Sequence, residues 1–434
     1  MNNNENEFAK KYIFDFYGKK QKECNESYDL AEDSEIEQVY EEILNDTIIN
    51  SLLVKTALVV ITANKYERNI LHQRVFASSK TKIKHTVIKL LTPCDRYNRA
   101  NAYFFELNGY NIMHIHTDII GSYTIAGSAY IVRWITTNEY LFPIAIISFG
   151  ICFGTREKKE EIGNVIISKK IYPYFIGAKV NGEDLNVVDD NVFCINTDIG
   201  TRINNMINNN KFNKMPFSVK FKNYITGEAV VSSSEWRKKI VDTTTQEIYA
   251  GDMEGYGLFK ECNNTGYEIP CLILKAICDW GVDKNFDSSN EQILNDFVKT
   301  LNFHNIELDN SQAKSILSSL KDRLQAYAAN CAYDVFITLI NSNIFSESII
   351  NKLQSEINNY TGAATTCKKI EEMLDNIITD SNLGYNLSRL YLHRCIILFH
   401  EKGILKCEPE CIKHNSIQIC DRTDGMVSIE LKKE

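Results

Sequence analysis

The 434-residue chain has no apolar run long enough to span a membrane. Its longest, Tyr140 to Gly154, is interrupted by Pro143, Ser148 and Gly150 and reads as a buried strand. No secretory signal is visible either: Met1-Asn2-Asn3-Asn4-Glu5-Asn6-Glu7 reads as polar and acidic. There is no basic surplus. The 48 Lys and Arg stand against 56 Asp and Glu, a net charge of −8, which argues against a broad nucleic-acid footprint but leaves room for a local basic pocket. The 13 cysteines are odd in number and follow no repeating framework, so they read as reduced thiols of a cytoplasmic protein. The remaining composition is ordinary: 44% apolar and 24% charged, in a chain with room for about two or three domains.

What is present concentrates in two short stretches. Gly251-Asp252-Met253-Glu254-Gly255 precedes a helical pattern, Gly255 to Asn263. Cys278-Asp279-Trp280 follows a short apolar run, Pro270 to Ile277, that reads as a buried strand after a Gly-Tyr-Glu-Ile-Pro turn. In an open α/β sheet the residues just past the carboxyl end of a strand line the ligand crevice, and Asp279 sits there. A carboxyl in such a crevice acts as a general acid if burial raises its pKa. Glu254, at the start of a helix, is placed to accept hydrogen bonds from sugar hydroxyls.

These stretches resemble the purine nucleoside phosphorylase and nucleosidase superfamily, which carries a Met-Glu-small motif and a Ser-Asp or Cys-Asp after the next strand. Further matches follow in order over about residues 55–340. Thr56 to Ala63 looks like the family's first strand, with Glu67 at the spacing where nucleosidases keep a glutamate. Gly121-Ser122 sits where a glycine-containing turn follows the third strand. Phe149-Gly150-Ile151-Cys152-Phe153-Gly154 and Ile162 to Ser168 look like the glycine-turn strand and the Gly-Asp-Val strand, with Asn164 in place of Asp. Lys321 to Ala329 looks like the start of the last helix.

The resemblance implies a three-layer α/β sandwich with a mixed central sheet, and an enzyme that cleaves an N-glycosidic bond without metal or cofactor. It implies that Asp279 protonates purine N7, Glu67 deprotonates the attacking water, Glu254 binds the ribose hydroxyls and Met253 packs on the sugar. Val230 and Val231 fall where the family holds the base, and Gly150, Gly121 and Ser122 are expected to line the site. Each carboxylate also has a plain reading: Asp279 as a loop cap, Glu67 as an acid at a helix N-terminus. A glutamate in the first loop favours hydrolysis, whereas Arg68 and Arg133 keep phosphorolysis open.

Several departures stand out from the methylthioadenosine/S-adenosylhomocysteine nucleosidases. Cys278 replaces a serine, and Ile151-Cys152-Phe153-Gly154 replaces a small-residue turn. The variants resemble instead the nucleosidase effectors of bacterial anti-phage defence, which implies an adenine nucleotide substrate, ATP foremost. Arg156, Lys158, Lys159, Lys169 and Lys170 are then candidates for the 5′ phosphates, or a solvated surface stretch. Three alternatives stand beside this reading: a methylthioadenosine/S-adenosylhomocysteine nucleosidase, a phosphate-dependent purine nucleoside phosphorylase, and an inactive nucleotide sensor.

Outside the resemblance, residues 1–54 read as an acidic arm with a helix at Ser34–Leu44. Residues 284–320 read as an insertion with helical patterns at Glu291–Leu301 and Ser311–Leu320. Residues 345–434 read as a separate module, helices followed by strands to Leu431 with an Asp424-Gly425 turn, resembling a winged helix. Its balanced charge disfavours nucleic acid, so capping, oligomerisation or a regulatory partner is expected there. Cys407, Cys411, His414 and Cys420 supply zinc-type ligands at a spacing that matches no common signature. A homo-oligomer is the default expectation.

Overall fold

The computed structural model describes residues 3–345, except 33–38, 91–98, 118–126, 139–140, 142, 156–159, 175–178, 182–183, 187–191, 228–230, 232–233, 243–245, 265–268, 282–285, 287 and 343. It also describes the strands at 417–421 and 427–431. Along the chain run α1 (Asn3–Leu30), β1 (Tyr40–Glu42), α2 (Asp46–Lys55), β2 (Leu58–Thr62), α3 (Lys65–Ser79), β3 (Ile83–Lys89), β4 (Arg99–Leu107), β5 (Tyr110–His116) and α4 (Ser128–Thr137). Then come β6 (Ala145–Gly154), β7 (Val165–Pro173), the short pair β8 (Lys179–Asn181) and β9 (Asp184–Asn186), β10 (Phe193–Cys194), α5 (Thr197–Asn208), β11 (Val219–Thr226) and α6 (Ser234–Asp242). The last are β12 (Ala250–Asp252), α7 (Gly255–Asn264), β13 (Cys271–Asp279), α8 (Glu291–Phe303), α9 (Asn310–Ser318), α10 (Leu320–Asn341), β14 (Ile417–Asp421) and β15 (Val427–Leu431).

One mixed sheet organises the molecule, with strand order β1-β3-β4-β5-β2-β6-β12-β11-β7-β10 and β13 bridging β6 and β7. β2 shows why helices cover both faces. Every residue from Leu58 to Ile61 is buried, and the side chains alternate: Leu58 and Val60 enter one core, Val59 and Ile61 the other. The first core joins β2 to α1, α3 and α10 through Tyr17, Ile70 and Phe336. The second joins it to α4 and α7 through Ile131 and Phe259. This is the mixed central sheet between helical layers that the sequence predicts.

The pairings of β6, β12, β11, β7 and β13 close into a ring. At its rim Phe153 of β6 pairs with Gly251 on one side and with Asp279 on the other, where the β13 register shifts. Two segments 24 residues apart in sequence, Met253-Glu254 and Cys278-Asp279, therefore end beside the same residue of β6.

Two expectations for the N-terminal stretch change. Tyr40–Glu42 is a parallel edge strand beside β3, not the middle of a helix. Its first residue, Tyr40, is held there through a hydrogen bond between its hydroxyl and His72 Nδ1 (2.7 Å), which no helical pattern foretells. The stretch read as an arm also carries α1, whose Ile13, Phe14, Tyr17 and Cys24 are buried in the first core. α8 and α9 of the insertion join that core through Phe297, Leu301, Ala313 and Leu317. Of the C-terminal module, the described part is the antiparallel pair β14–β15, and its helices and the residues Cys407, Cys411 and His414 lie outside the described residues. Among the described residues no helix is long and apolar enough to cross a membrane, and no cluster of metal-ligating side chains occurs.

Candidate active site

At the rim of the ring lies a cavity of ≈ 120 Å³ whose lining includes Glu67, Asp252, Met253, Glu254, Lys275 and Asp279. Val231, Phe153, Cys278, Asn64 and Gln325 complete much of its wall. Four carboxylates and one ammonium thus share a space a few water molecules wide. All five are at most 8% exposed, so their charges must be neutralised locally.

Lys275 does most of that work. Its Nζ lies 2.6 Å from Glu254 Oε2 and 3.0 Å from Asp252 Oδ2. Burial alone would lower its pKa, but the carboxylates of Asp252, Glu254 and Glu67 hold it well above the ordinary lysine value. Asp252 is fixed from its other oxygen, which accepts from Thr226 Oγ1 (2.9 Å) and the Gly255 N–H (3.1 Å). Its pKa is raised, chiefly by burial. Glu254 is positioned through its backbone, where its carbonyl accepts from Ser128 Oγ at 2.6 Å.

Glu67 occupies the third position of α3. It closes a capping box with Asn64: Asn64 caps the helix, and Glu67 Oε2 accepts from the N–H groups of Ala63 (2.9 Å) and Asn64 (3.0 Å). Its Oε1 accepts from the Ile151 N–H at 2.8 Å. The helix-start reading of this residue is therefore correct as geometry, and the same carboxylate also faces the cavity. A carboxylate offers about four lone-pair directions, so three bonds leave one for a water. Burial raises its pKa to about 7, with the Glu254 charge adding to the rise and Lys275 opposing it. A carboxyl that titrates near neutrality is suited to general-base work.

Gly150 makes this possible. Its φ is +146°, and a Cβ there would lie 1.9 Å from Glu67 Oε1. Gly150, expected to line the site, is not among the residues that line the cavity; it makes room for the glutamate that does.

Asp279 ends β13. Its Oδ1 accepts from the Gly281 N–H (2.7 Å), and the Cys278 thiol donates to Oδ2 (3.0 Å). The cysteine that replaces a serine thus keeps a donor on the carboxylate, though a weaker one. The next residue is anchored as well, since Arg237 Nη1 donates to the Trp280 carbonyl at 2.6 Å.

Of the residues singled out in the sequence, Asp279, Glu67, Glu254, Met253 and Val231 are brought to one cavity. Gly121, Ser122 and Val230 lie outside the described residues, as do Arg156, Lys158 and Lys159. Lys169 and Lys170 are exposed on β7. Arg133 is not turned toward the cavity: it makes a two-bond pair with Glu261 (2.8 and 2.8 Å) between α4 and α7. Arg68 Nε donates to Asn69 Oδ1 at 2.8 Å. Sequence reasoning missed Lys275 and Asp252.

A scan of known family models finds none that matches the chain, and no curated protein matches it by sequence. Solved structures are similar in fold. The S-adenosylhomocysteine nucleosidase of Streptococcus pyogenes, in complex with 5-methylthiotubericidin, is 12% identical, with 67% of this chain and 98% of that chain covered and a TM-score of 0.45. The 5′-methylthioadenosine/S-adenosylhomocysteine nucleosidase of Neisseria meningitidis, in complex with methylthio-immucillin-A, is 19% identical over 62% of this chain and 99% of that one, with a TM-score of 0.39. Futalosine hydrolase of Helicobacter pylori strain 26695 is 11% identical over 66% and 98%, with a TM-score of 0.46. Identity this low leaves function to the side chains of the site.

Proposed function

We propose that the chain hydrolyses the N-glycosidic bond of an adenine nucleoside or nucleotide, with Glu67, Glu254 and Asp279 as the reacting and sugar-binding groups. The observation that carries this reading is the convergence of four buried carboxylates, Glu67, Asp252, Glu254 and Asp279, and one lysine on a single cavity. Departure of a purine leaves an oxocarbenium-like sugar, which a cluster of net negative charge stabilises. The leaving base takes its proton from Asp279. Water, held on the remaining lone pair of Glu67, loses its proton to that carboxylate as it adds to the anomeric carbon. Glu254 accepts from the ribose hydroxyls, and Lys275 fixes its orientation. This division of labour, an acid on one side and a base on the other, follows inverting glycoside hydrolysis.

Hydrolysis is favoured over phosphorolysis by the same lining. Among the described lining residues the cation is Lys275, and it is already engaged by two carboxylates. An oxyanion brought beside Glu67 would meet net negative charge. The identity of the 5′ group, the ATP expectation included, is a matter for assay.

The test is free-base release. Protein is incubated with ATP, AMP, adenosine and methylthioadenosine in phosphate-free buffer, and adenine is followed by chromatography. Adenine is expected from at least one of them, with a loss of 100-fold or more, about 3 kcal/mol of barrier, in Asp279→Asn and in Glu254→Gln. Wild-type rates in both variants, or release that waits on added phosphate, would overturn the reading. Adenine from ATP alone would support the nucleotide reading.

A further inference from the structure

A second, larger cavity of ≈ 710 Å³ lies beside the acid-bearing end of β13 and shares no lining residue with the first. Tyr12 of α1 forms one side, and Phe212 and Phe217, between α5 and β11, form part of another. Its polar lining is built, not incidental. Glu160 is 1% exposed and is held by Lys220 Nζ at 2.7 and 2.8 Å and by Asn164 Nδ2 at 3.4 Å. Asn164 Oδ1 in turn accepts from the Ser218 N–H at 3.0 Å. The Glu160–Lys220 pair cancels its own charge. The Ser218 hydroxyl oxygen is buried and has no hydrogen-bond partner among the described residues.

We propose that this cavity is an effector site for an uncharged heteroaromatic molecule of nucleoside size. Aromatic rings at its walls suit a planar heterocycle, because offset or edge-on stacking adds to the area buried. Asn213 and Glu161 in the lining offer polar groups to sugar hydroxyls. The volume falls within the range of small-molecule sites and leaves space for a sugar on the base. With Glu160 and Lys220 cancelling each other, Glu161 leaves the lining net negative, which repels a phosphate, so the unphosphorylated form is the one recognised.

The cavity also touches the catalytic strand. The Asn164 carbonyl accepts from the Ile277 N–H (2.9 Å), and the Gly163 N–H donates to the Ile277 carbonyl (2.8 Å). On the other side the Tyr12 ring meets the Trp280 ring edge-on at 5.8 Å. A ligand that shifts Asn164 or Tyr12 therefore acts on the residues that flank Cys278-Asp279, and differential binding to two positions of that strand end is what coupling requires.

The experiment uses the full chain carrying Asp279→Asn and adenosine as the probe, read by calorimetry. Two saturable sites are expected. Adding Asn213→Trp, an exposed position that a large side chain would plug, should remove one and leave the other; Met215→Trp should repeat the result. In the otherwise wild-type enzyme, Asn213→Trp should change the base-release rate at saturating adenosine by about five-fold or more. One site that persists in both plugged variants, or no saturable binding at all, would overturn the proposal. If base release itself fails, the plug-sensitive site remains, so the two readings fall separately.

Discussion

At the scale of the residue, Gly150 and Lys275 show how much of the site depends on what is not a reacting group. A methyl group on Gly150 would overlap the Glu67 carboxylate and would sit at a φ that side chains rarely adopt. Gly150→Ala is expected to unseat Glu67 from the Ile151 N–H, cost about 2 kcal/mol or more of stability and cut base release at least 100-fold. Urea unfolding and the release assay check this, and a Gly150→Ala enzyme with full activity would remove Glu67 from the mechanism. Lys275 offers the complementary test. Lys275→Met leaves Asp252 and Glu254 facing each other without a cation, so both stability and the affinity for the sugar should fall. Lys275→Arg should restore part of each, because it returns the charge with a different reach. The sequence signal for Lys275 was its place inside Pro270 to Ile277. A lone lysine in a fully buried strand must be paired, so it points to carboxylates nearby. Asp252 gave no comparable signal, since an acid before Met253 is as easily a turn residue.

At the scale of the element, β13 and α7 were legible because each is a short apolar pattern bounded by turn residues. α8, α9 and α10 were legible within a few residues for the same reason. α1 was not. Its buried stripe, Ile13, Phe14, Tyr17 and Cys24, has helical spacing, but it is embedded among lysines and acids that make the segment read as a solvated arm. β1 is three residues long, too short to show any period. The placement of α1 makes a prediction. Phe14 is 3% exposed and packs on Phe297 of α8 with ring centroids 5.0 Å apart. Phe14→Ala should therefore cost about 3–5 kcal/mol in urea unfolding. A detachable arm would lose next to nothing, so an unchanged unfolding midpoint would contradict the shared core. α1 also carries Asp15, whose Oδ1 lies 2.9 Å from Nε2 of His304 just after α8, so the helix and the insertion are joined by a hydrogen bond as well as by packing.

At the scale of the whole molecule, two buried features pull its pH dependence in opposite directions. His72 and His114 are fully buried and joined Nε2 to Nδ1 at 2.7 Å, in a chain that continues through Thr62 Oγ1 to His116 Nδ1. With each ring neutral and carrying one N–H, every bond in this chain is satisfied in a single direction. Burial, with the charge of Arg68 next for His72, holds both imidazole pKa values well below 6.5. The unfolded chain therefore binds more protons here than the folded one at acid pH, so stability from these rings is present above about pH 6.5 and is lost as the pH falls below it. Glu67 has the opposite sign. Its folded pKa of about 7 lies above the ordinary 4.5, so its contribution is fully present below about pH 4.5 and is lost as the pH rises toward 7. Between pH 5 and 7 the loss amounts to about 2 kcal/mol. Wild-type stability should still rise over this window if the two histidines outweigh the one glutamate. Glu67→Gln removes only the opposing contribution. Its unfolding free energy, measured in urea at pH 5 and pH 7, should rise more steeply with pH than that of the wild type, whatever the substitution costs at a fixed pH. Equal slopes would mean that Glu67 titrates alike in the folded and unfolded chain, and would take away the near-neutral base on which the proposed water activation depends.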